Sequence, residues 1–140
     1  PNPMPESVRD RCTKSHEYIF LLSKSKNYYF DVDAIRVANS SGNQFKRKKS
    51  VWDVKLKPNK DAHFAVYPPE LIEPCILAGS DKGDIILDPF MGSGTTAMVA
   101  KSLGRDYIGC ELHEDYVKLI DKRVGEAPGT LEDFLWGNWQ

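Results

Sequence analysis

Residues 84–112, DIILDPFMGSGTTAMVAKSLGRDYIGCEL, decide the fold. They read as a strand, a glycine-rich turn, a helix and a second strand. Ile85, Ile86 and Leu87 make a short apolar run suited to a strand buried on both faces. Asp88 and Pro89 end it. Gly92 and Gly94 let the backbone turn sharply and approach a ligand without a Cβ in the way. Thr95 and Thr96 open a helix whose Ala97, Met98, Val99, Ala100 and Leu103 suit packing on a sheet, and Gly104 is placed to stop it. Tyr107, Ile108, Gly109 and Cys110 form the second strand, with Glu111 at its end. This is one βαβ unit, and ligand groups are expected at the carboxyl ends of its strands.

Asp88 and Glu111 stand 23 residues apart. A carboxylate at the end of the second strand is suited to accept hydrogen bonds from ribose hydroxyls, so an adenosine-containing cofactor is expected. The turn reads G-x-G-T-T. It fits the dinucleotide pattern G-x-G-x-x-G only in part and lacks the lysine of G-x-x-x-x-G-K-[ST]. Negative charge at Asp88 suits a cationic ligand better than a pyrophosphate. S-adenosyl-methionine carries a sulfonium and an ammonium, and its carboxylate can use the N–H groups at the helix start.

The ordered set Asp-Pro-Phe-Met-Gly-Ser-Gly-Thr-Thr (88–96) and Gly-Arg-x-Tyr-Ile-Gly-x-Glu-Leu (104–112) resembles the cofactor half of the DNA amino-methyltransferases, which act on adenine N6 or cytosine N4. The resemblance continues upstream through His63-Phe64-Ala65-Val66-Tyr67-Pro68 to His16-Glu17-Tyr18-Ile19-Phe20 and spans roughly residues 5–124. It implies an α/β chain with a Rossmann-like, three-layer αβα methyltransferase fold, S-adenosyl-methionine as cofactor and DNA as partner. It assigns cofactor contacts to Asp88, Phe90, Gly92, Ser93, Gly94, Thr95, Thr96 and Glu111. Phe64 and Pro68 would line the pocket, although as residues they serve a core equally well.

A length of 140 residues fits one domain, and 41% apolar residues suffice for an ordinary core. The net charge of −1 hides an uneven distribution: residues 44–60 hold seven basic residues and one acid, whereas residues 61–140 are strongly acidic. Lys46, Arg47, Lys48 and Lys49, flanked by Phe45 and Trp52, fit a nucleic-acid surface, with charge for phosphates and rings for stacking. The competing reading is a solvated loop with Trp52 in the core. Related enzymes carry variable target-recognition segments here, which favours DNA; the segment of 38–60 is short enough to make any such element minimal. Cys12, Cys75 and Cys110 show no metal-like spacing and read as reduced apolar residues. No signal peptide or membrane-spanning run is present in the sequence, so a cytoplasmic protein is expected.

The rest divides simply. Residues 1–37 read as strand-rich after a proline-rich arm, with HEYIFLLS (16–23) as a buried strand of the main sheet, 28–31 as a second strand and 33–37 as a helical turn. His16 is expected to be structural. Residues 51–54 read as a short strand. Residues 61–124 form the cofactor-binding part, with helices over 70–78, where Pro69 suits the first turn, and 114–124. The apolar tail 125–140 should dock, either on its own domain or on another copy of the chain.

An exocyclic amine is a weak nucleophile because its lone pair is delocalised into the ring. The resemblance implies that an Asp/Asn/Ser-Pro-Pro-aromatic motif captures it, and no such tetrapeptide occurs in these residues. Tyr67-Pro68-Pro69-Glu70 contains Pro-Pro but neither the preceding polar residue nor the following aromatic. No catalytic residue is therefore named. The motif is expected upstream of residue 1, which makes the fold incomplete, the missing N-terminal half a partner, and the chain alone inactive. A partial sheet leaves an edge that another chain or an oligomer partner would complete. The alternative is a non-catalytic nucleic-acid- or cofactor-binding module of the same fold. An oxidoreductase or kinase would require the full glycine pattern or the lysine that this turn lacks.

Overall fold

The computed structural model describes residues 7–39, 41–42, 44–55 and 66–125. The pocket role expected of Phe64 and the docking expected of residues 126–140 fall outside the described residues.

The described residues are built around one parallel strand pair and three helices. β3 (Ile85–Asp88) and β4 (Asp106–Gly109) pair in parallel with Ile86 opposite Tyr107 and Asp88 opposite Gly109. Between them runs α2 (Thr95–Ser102), the connection that a parallel pair requires. Its end is a Schellman motif: Gly104, at φ +74°, donates its N–H to Lys101 O, and Arg105 N–H donates to Ala100 O at 2.8 Å. α1 (Pro69–Gly79) and α3 (Glu114–Gly125) flank α2. Pro69 occupies the first helical turn of α1, where its missing N–H leaves no intrahelical bond unmade.

Helix α2 is buried at every residue but Lys101, with Ala97, Val99 and Ala100 at 0% exposure. Ile76, Met98, Val99, Ala100 and Leu103 form one cluster against α1, with Ile86 and Tyr107 of the strands packed on it. Met91, Ala97, Ile120 and Val124 form a second against α3. Arg105 is buried at the seam. Its guanidinium donates to Leu103 O at 2.6 Å, Ser80 O at 2.8 Å and Ser80 Oγ at 3.2 Å, tying the end of α1 to the start of β4.

The strands are buried on one face, not two. Ile86 and Tyr107 meet α2, but Ile85, Leu87 and Ile108 on the opposite face are 61%, 66% and 55% exposed. Side chains alternate across a strand, and no described residue covers that second face.

The N-terminal part departs further from expectation. Residues 16–23 form no strand, and Tyr18, Ile19, Phe20, Leu21 and Leu22 are all exposed. A strand exists only when a neighbour satisfies its N–H and C=O groups, and no described segment pairs with this one. Residues 28–31 are likewise unpaired; Asp31 N–H donates to Ala78 O and holds this segment at the end of α1. The helical turn expected over 33–37 is instead a single tight turn, closed by Arg36 N–H donating to Asp33 O, and Val37 already begins a strand. His16 is exposed and sits edge-on to Tyr18. The short strands of this region are β1 (Val37–Ala38) and β2 (Phe45–Lys46), an antiparallel pair. Residues 51–54 are not a strand; β1 pairs with the start of the basic stretch, and no described segment pairs with 51–54. Among the described residues, no helix is long and apolar enough to cross a membrane.

Candidate functional site: a turn clasped between two carboxylates

The turn between β3 and α2 places two carboxylates at the carboxyl ends of the strands. Asp88 closes β3 and faces back into the turn. Its Oδ1 accepts the Phe90 N–H at 2.9 Å, and its Oδ2 accepts the Thr96 hydroxyl at 2.5 Å. Glu111 follows β4. Its Oε2 accepts the Gly92 N–H at 2.8 Å and its Oε1 the His113 N–H at 2.8 Å. These backbone donors, that of His113 foremost, hold the Glu111 carboxyl below the usual glutamate range. Each carboxylate oxygen has two lone pairs, so both keep acceptor capacity for a ligand.

Glycine is required at two points of the turn. Gly94 caps α2 at φ +85°, and a Cβ there would lie 2.9 Å from Ile120 Cγ1. Gly92, at φ +55°, is different: a Cβ there meets only Phe90 O, at 3.9 Å, so the space over this residue is open. Arg123 of α3 reaches across to donate to Ser93 O at 2.8 Å and Ser93 Oγ at 2.7 Å, fixing the turn from the other side.

The residues expected to meet a cofactor therefore fall into two groups. Phe90, 89% exposed, Gly92 and Glu111 present a surface. Ser93, Gly94, Thr95 and Thr96 are buried, as is Pro68 before α1. Of these, Thr95 is notable: its Oγ1 is buried and has no hydrogen-bond partner among the described residues. Asp88 is half-buried, and its carboxylate is engaged by the turn it organises.

Two residues at this site escape a reading of the sequence. Tyr67, in the stretch set aside for its misleading Pro-Pro, brings its hydroxyl to 2.5 Å from Thr96 Oγ1 and 3.5 Å from Asp88 Oδ2. Burial pushes its phenol above the ordinary tyrosine range, and the Asp88 charge pushes the same way. Arg123 is the other. Their partners lie 29 and 30 residues away, beyond any local pattern.

The basic stretch lies elsewhere. Lys46, Lys48 and Lys49 line an open groove of about 560 Å³ together with Trp52, Lys55 and Glu70; Arg47 is not part of its lining. Lys46, Arg47 and Lys49 are exposed, whereas Lys48 is half-buried with its Nζ 4.8 Å from the centre of the Trp52 ring. Trp52 is only partly buried and is not a core residue; its Nε1 donates to Lys49 O at 2.7 Å. Burial pushes the Glu73 carboxyl on α1 upward, and the nearby Lys48 charge opposes that shift.

A parallel strand pair with a glycine turn, and a carboxylate after each strand, defines an α/β protein of the Rossmann-like class that binds ligands at its strand ends. Comparison with known proteins gives the family. The DNA methylase family model matches residues 1–122, and the chain belongs to that family of N6/N4 amino-methyltransferases. It is 50% identical over 132 residues to the Type II methyltransferase M.Cfr9I of Citrobacter freundii, covering 94% of this chain and 44% of that protein. It is 47% identical over 124 residues to M.XycI of Xanthomonas campestris pv. cyanopsidis, covering 89% and 41%. The chain thus spans less than half the length of these relatives. Among solved structures, the M1.HpyAVI–SAM complex superposes with a TM-score of 0.61 at 32% identity, over 87% of this chain and 56% of that one.

Proposed function

We propose that this chain is the cofactor-binding part of a site-specific DNA methyltransferase, one that moves a methyl group from S-adenosyl-methionine to the exocyclic amine of adenine (N6) or cytosine (N4). The observation that carries the reading is Glu111. A carboxylate held ionised at the end of β4, with lone pairs to spare and beside an open glycine, is fitted to ribose hydroxyls. The orphaned Thr95 Oγ1 at the start of α2 adds a buried polar atom that awaits a partner.

In this reading Glu111 binds the ribose, Gly92 admits the ligand to the backbone, and the exposed Phe90 ring supplies apolar cover. The residues at the start of α2, Thr95 first, meet the polar end of the cofactor. The group supplies an electrophilic methyl on a sulfonium. The chain's own part is to hold and orient it, with Asp88 contributing negative charge from within the turn. Pro68, buried just before α1, backs the pocket wall.

The groove bearing Lys46, Lys48 and Lys49, with Arg47 beside it, serves the DNA backbone as a minimal target-recognition element. The amine-capturing Asp/Asn/Ser-Pro-Pro-aromatic motif comes from sequence beyond these 140 residues. So do the strands and helices that pair with β3–β4 and cover Ile85, Leu87 and Ile108, because a parallel sheet is stable with both faces covered. By likeness to Type II enzymes, the complete protein works in a restriction–modification setting.

The test is methyl transfer from radiolabelled S-adenosyl-methionine to DNA by the chain alone and by the chain in its full-length context. Label in N6-methyladenine or N4-methylcytosine from the longer protein only is the expected result. Label in neither nucleoside from a folded full-length protein contradicts the proposal.

A further inference from the structure

Tyr67 stands one residue before the cap of α1, yet its hydroxyl lies inside the turn between β3 and α2. The direction of the hydrogen bonds there can be worked out. Asp88, as a carboxylate, only accepts. Thr96 has a single hydroxyl proton, and Asp88 Oδ2 takes it at 2.5 Å. Thr96 Oγ1 can then only accept from Tyr67, whose hydroxyl is 2.5 Å away and stands 3.5 Å from Asp88 Oδ2, the longer of its two contacts. The other Asp88 oxygen accepts the Phe90 N–H. A directional chain results: Tyr67 O–H to Thr96, Thr96 O–H to Asp88, and Phe90 N–H to the same carboxylate. It joins the segment leading into α1 to the residue whose ring is the most exposed of the turn.

Packing alone does not call for this hydroxyl. Tyr67 is 38% exposed, and phenylalanine would cover the same surface. What the hydroxyl adds is a fixed distance between the α1 leader and a threonine that is 4% exposed. We propose that Tyr67 is a positioning residue of the cofactor site: its hydroxyl, through Thr96 and Asp88, sets the shape of the turn that receives S-adenosyl-methionine. The proposal rests on the cofactor assignment above. Tyr67 acts through its neighbours, and its effect is felt in affinity for the cofactor, with or without the transferable methyl.

Calorimetric titration of S-adenosyl-methionine, and of its demethylated product, into the full chain tests this. Tyr67→Phe is expected to weaken both ligands about fivefold, the worth of roughly one hydrogen bond. Thr96→Val weakens them as well, and adding Tyr67→Phe to it costs little more, because the chain is already broken. Thr96→Ser recovers most of what Thr96→Val loses. A merely structural tyrosine would instead lower the urea midpoint and leave the affinity of the folded protein alone. Native affinity in a folded Tyr67→Phe, or losses that simply add in the double variant, overturn the proposal. A folded native chain that binds neither ligand removes the cofactor assignment itself, and this proposal with it.

Discussion

Glu111 accepts the Gly92 N–H at 2.8 Å across 19 residues of sequence, so the carboxylate after one strand clasps the turn after the other. Its second oxygen takes the His113 N–H at the approach to α3. The clasp works only while the carboxyl is ionised. Because its folded-state value is depressed, the stabilisation is fully present above the ordinary glutamate range and is lost as pH falls through the lower, folded value. The native chain should lose urea stability on acidification through that window. Glu111→Gln should lose less over the same window, since its amide does not titrate. Equal acid sensitivity in the two proteins contradicts the clasp.

Arg105 makes a second, purely structural claim. Its three bonds to Leu103 O, Ser80 O and Ser80 Oγ are all buried. Arg105→Met keeps much of the stem but leaves those acceptors without donors, which should cost about 2 kcal/mol. Equilibrium urea unfolding measures it. The cofactor turn is not touched, so affinity in the folded fraction should hold.

The two glycines of the turn should separate stability from binding. Gly94→Ala places a Cβ 2.9 Å from Ile120 Cγ1 and 3.3 Å from its Cα at φ +85°, so it should destabilise the fold by about 2 kcal/mol or more. Gly92→Ala meets nothing nearer than 3.9 Å. It should cost less stability, though φ +55° still carries some strain, and should weaken the cofactor more, by filling the open approach. Thermal melts paired with calorimetry distinguish the two.

The basic groove yields a test on the complete enzyme. Neutralising exposed Lys46, Arg47 or Lys49 should each lower the slope of log affinity for DNA against log salt by about 0.9. Lys48, turned toward Trp52, should lower it less. An unchanged slope in all four variants would assign the stretch to solvent.

The centre of this fold was written locally and could be read locally. α2 and its glycine stop, the two strands around it, and Glu111 after the second all follow from short-range rules, and helices expected at 70–78 and 114–124 appear as Pro69–Gly79 and Glu114–Gly125. Two of the departures share a cause. HEYIFLLS has the composition of a strand, but a strand is a property of two segments, and no described neighbour pairs with it. Burial of Ile85 and Leu87 is expected from the same parallel-sheet logic, and it too depends on a covering layer. Tyr67 and Arg123 were missed for a different reason. Each acts at a partner about 30 residues away, a relation made by the packing of α1 and α3 on α2.

The most direct test of the central claim is calorimetric titration of S-adenosyl-methionine into this chain and into its Glu111→Ala variant. Saturable binding at one site per chain is expected, weakened at least about tenfold in the variant by the loss of two ribose hydrogen bonds to a charged acceptor. Equal affinity in the two folded proteins would contradict the assignment of Glu111, and with it the reading of the turn.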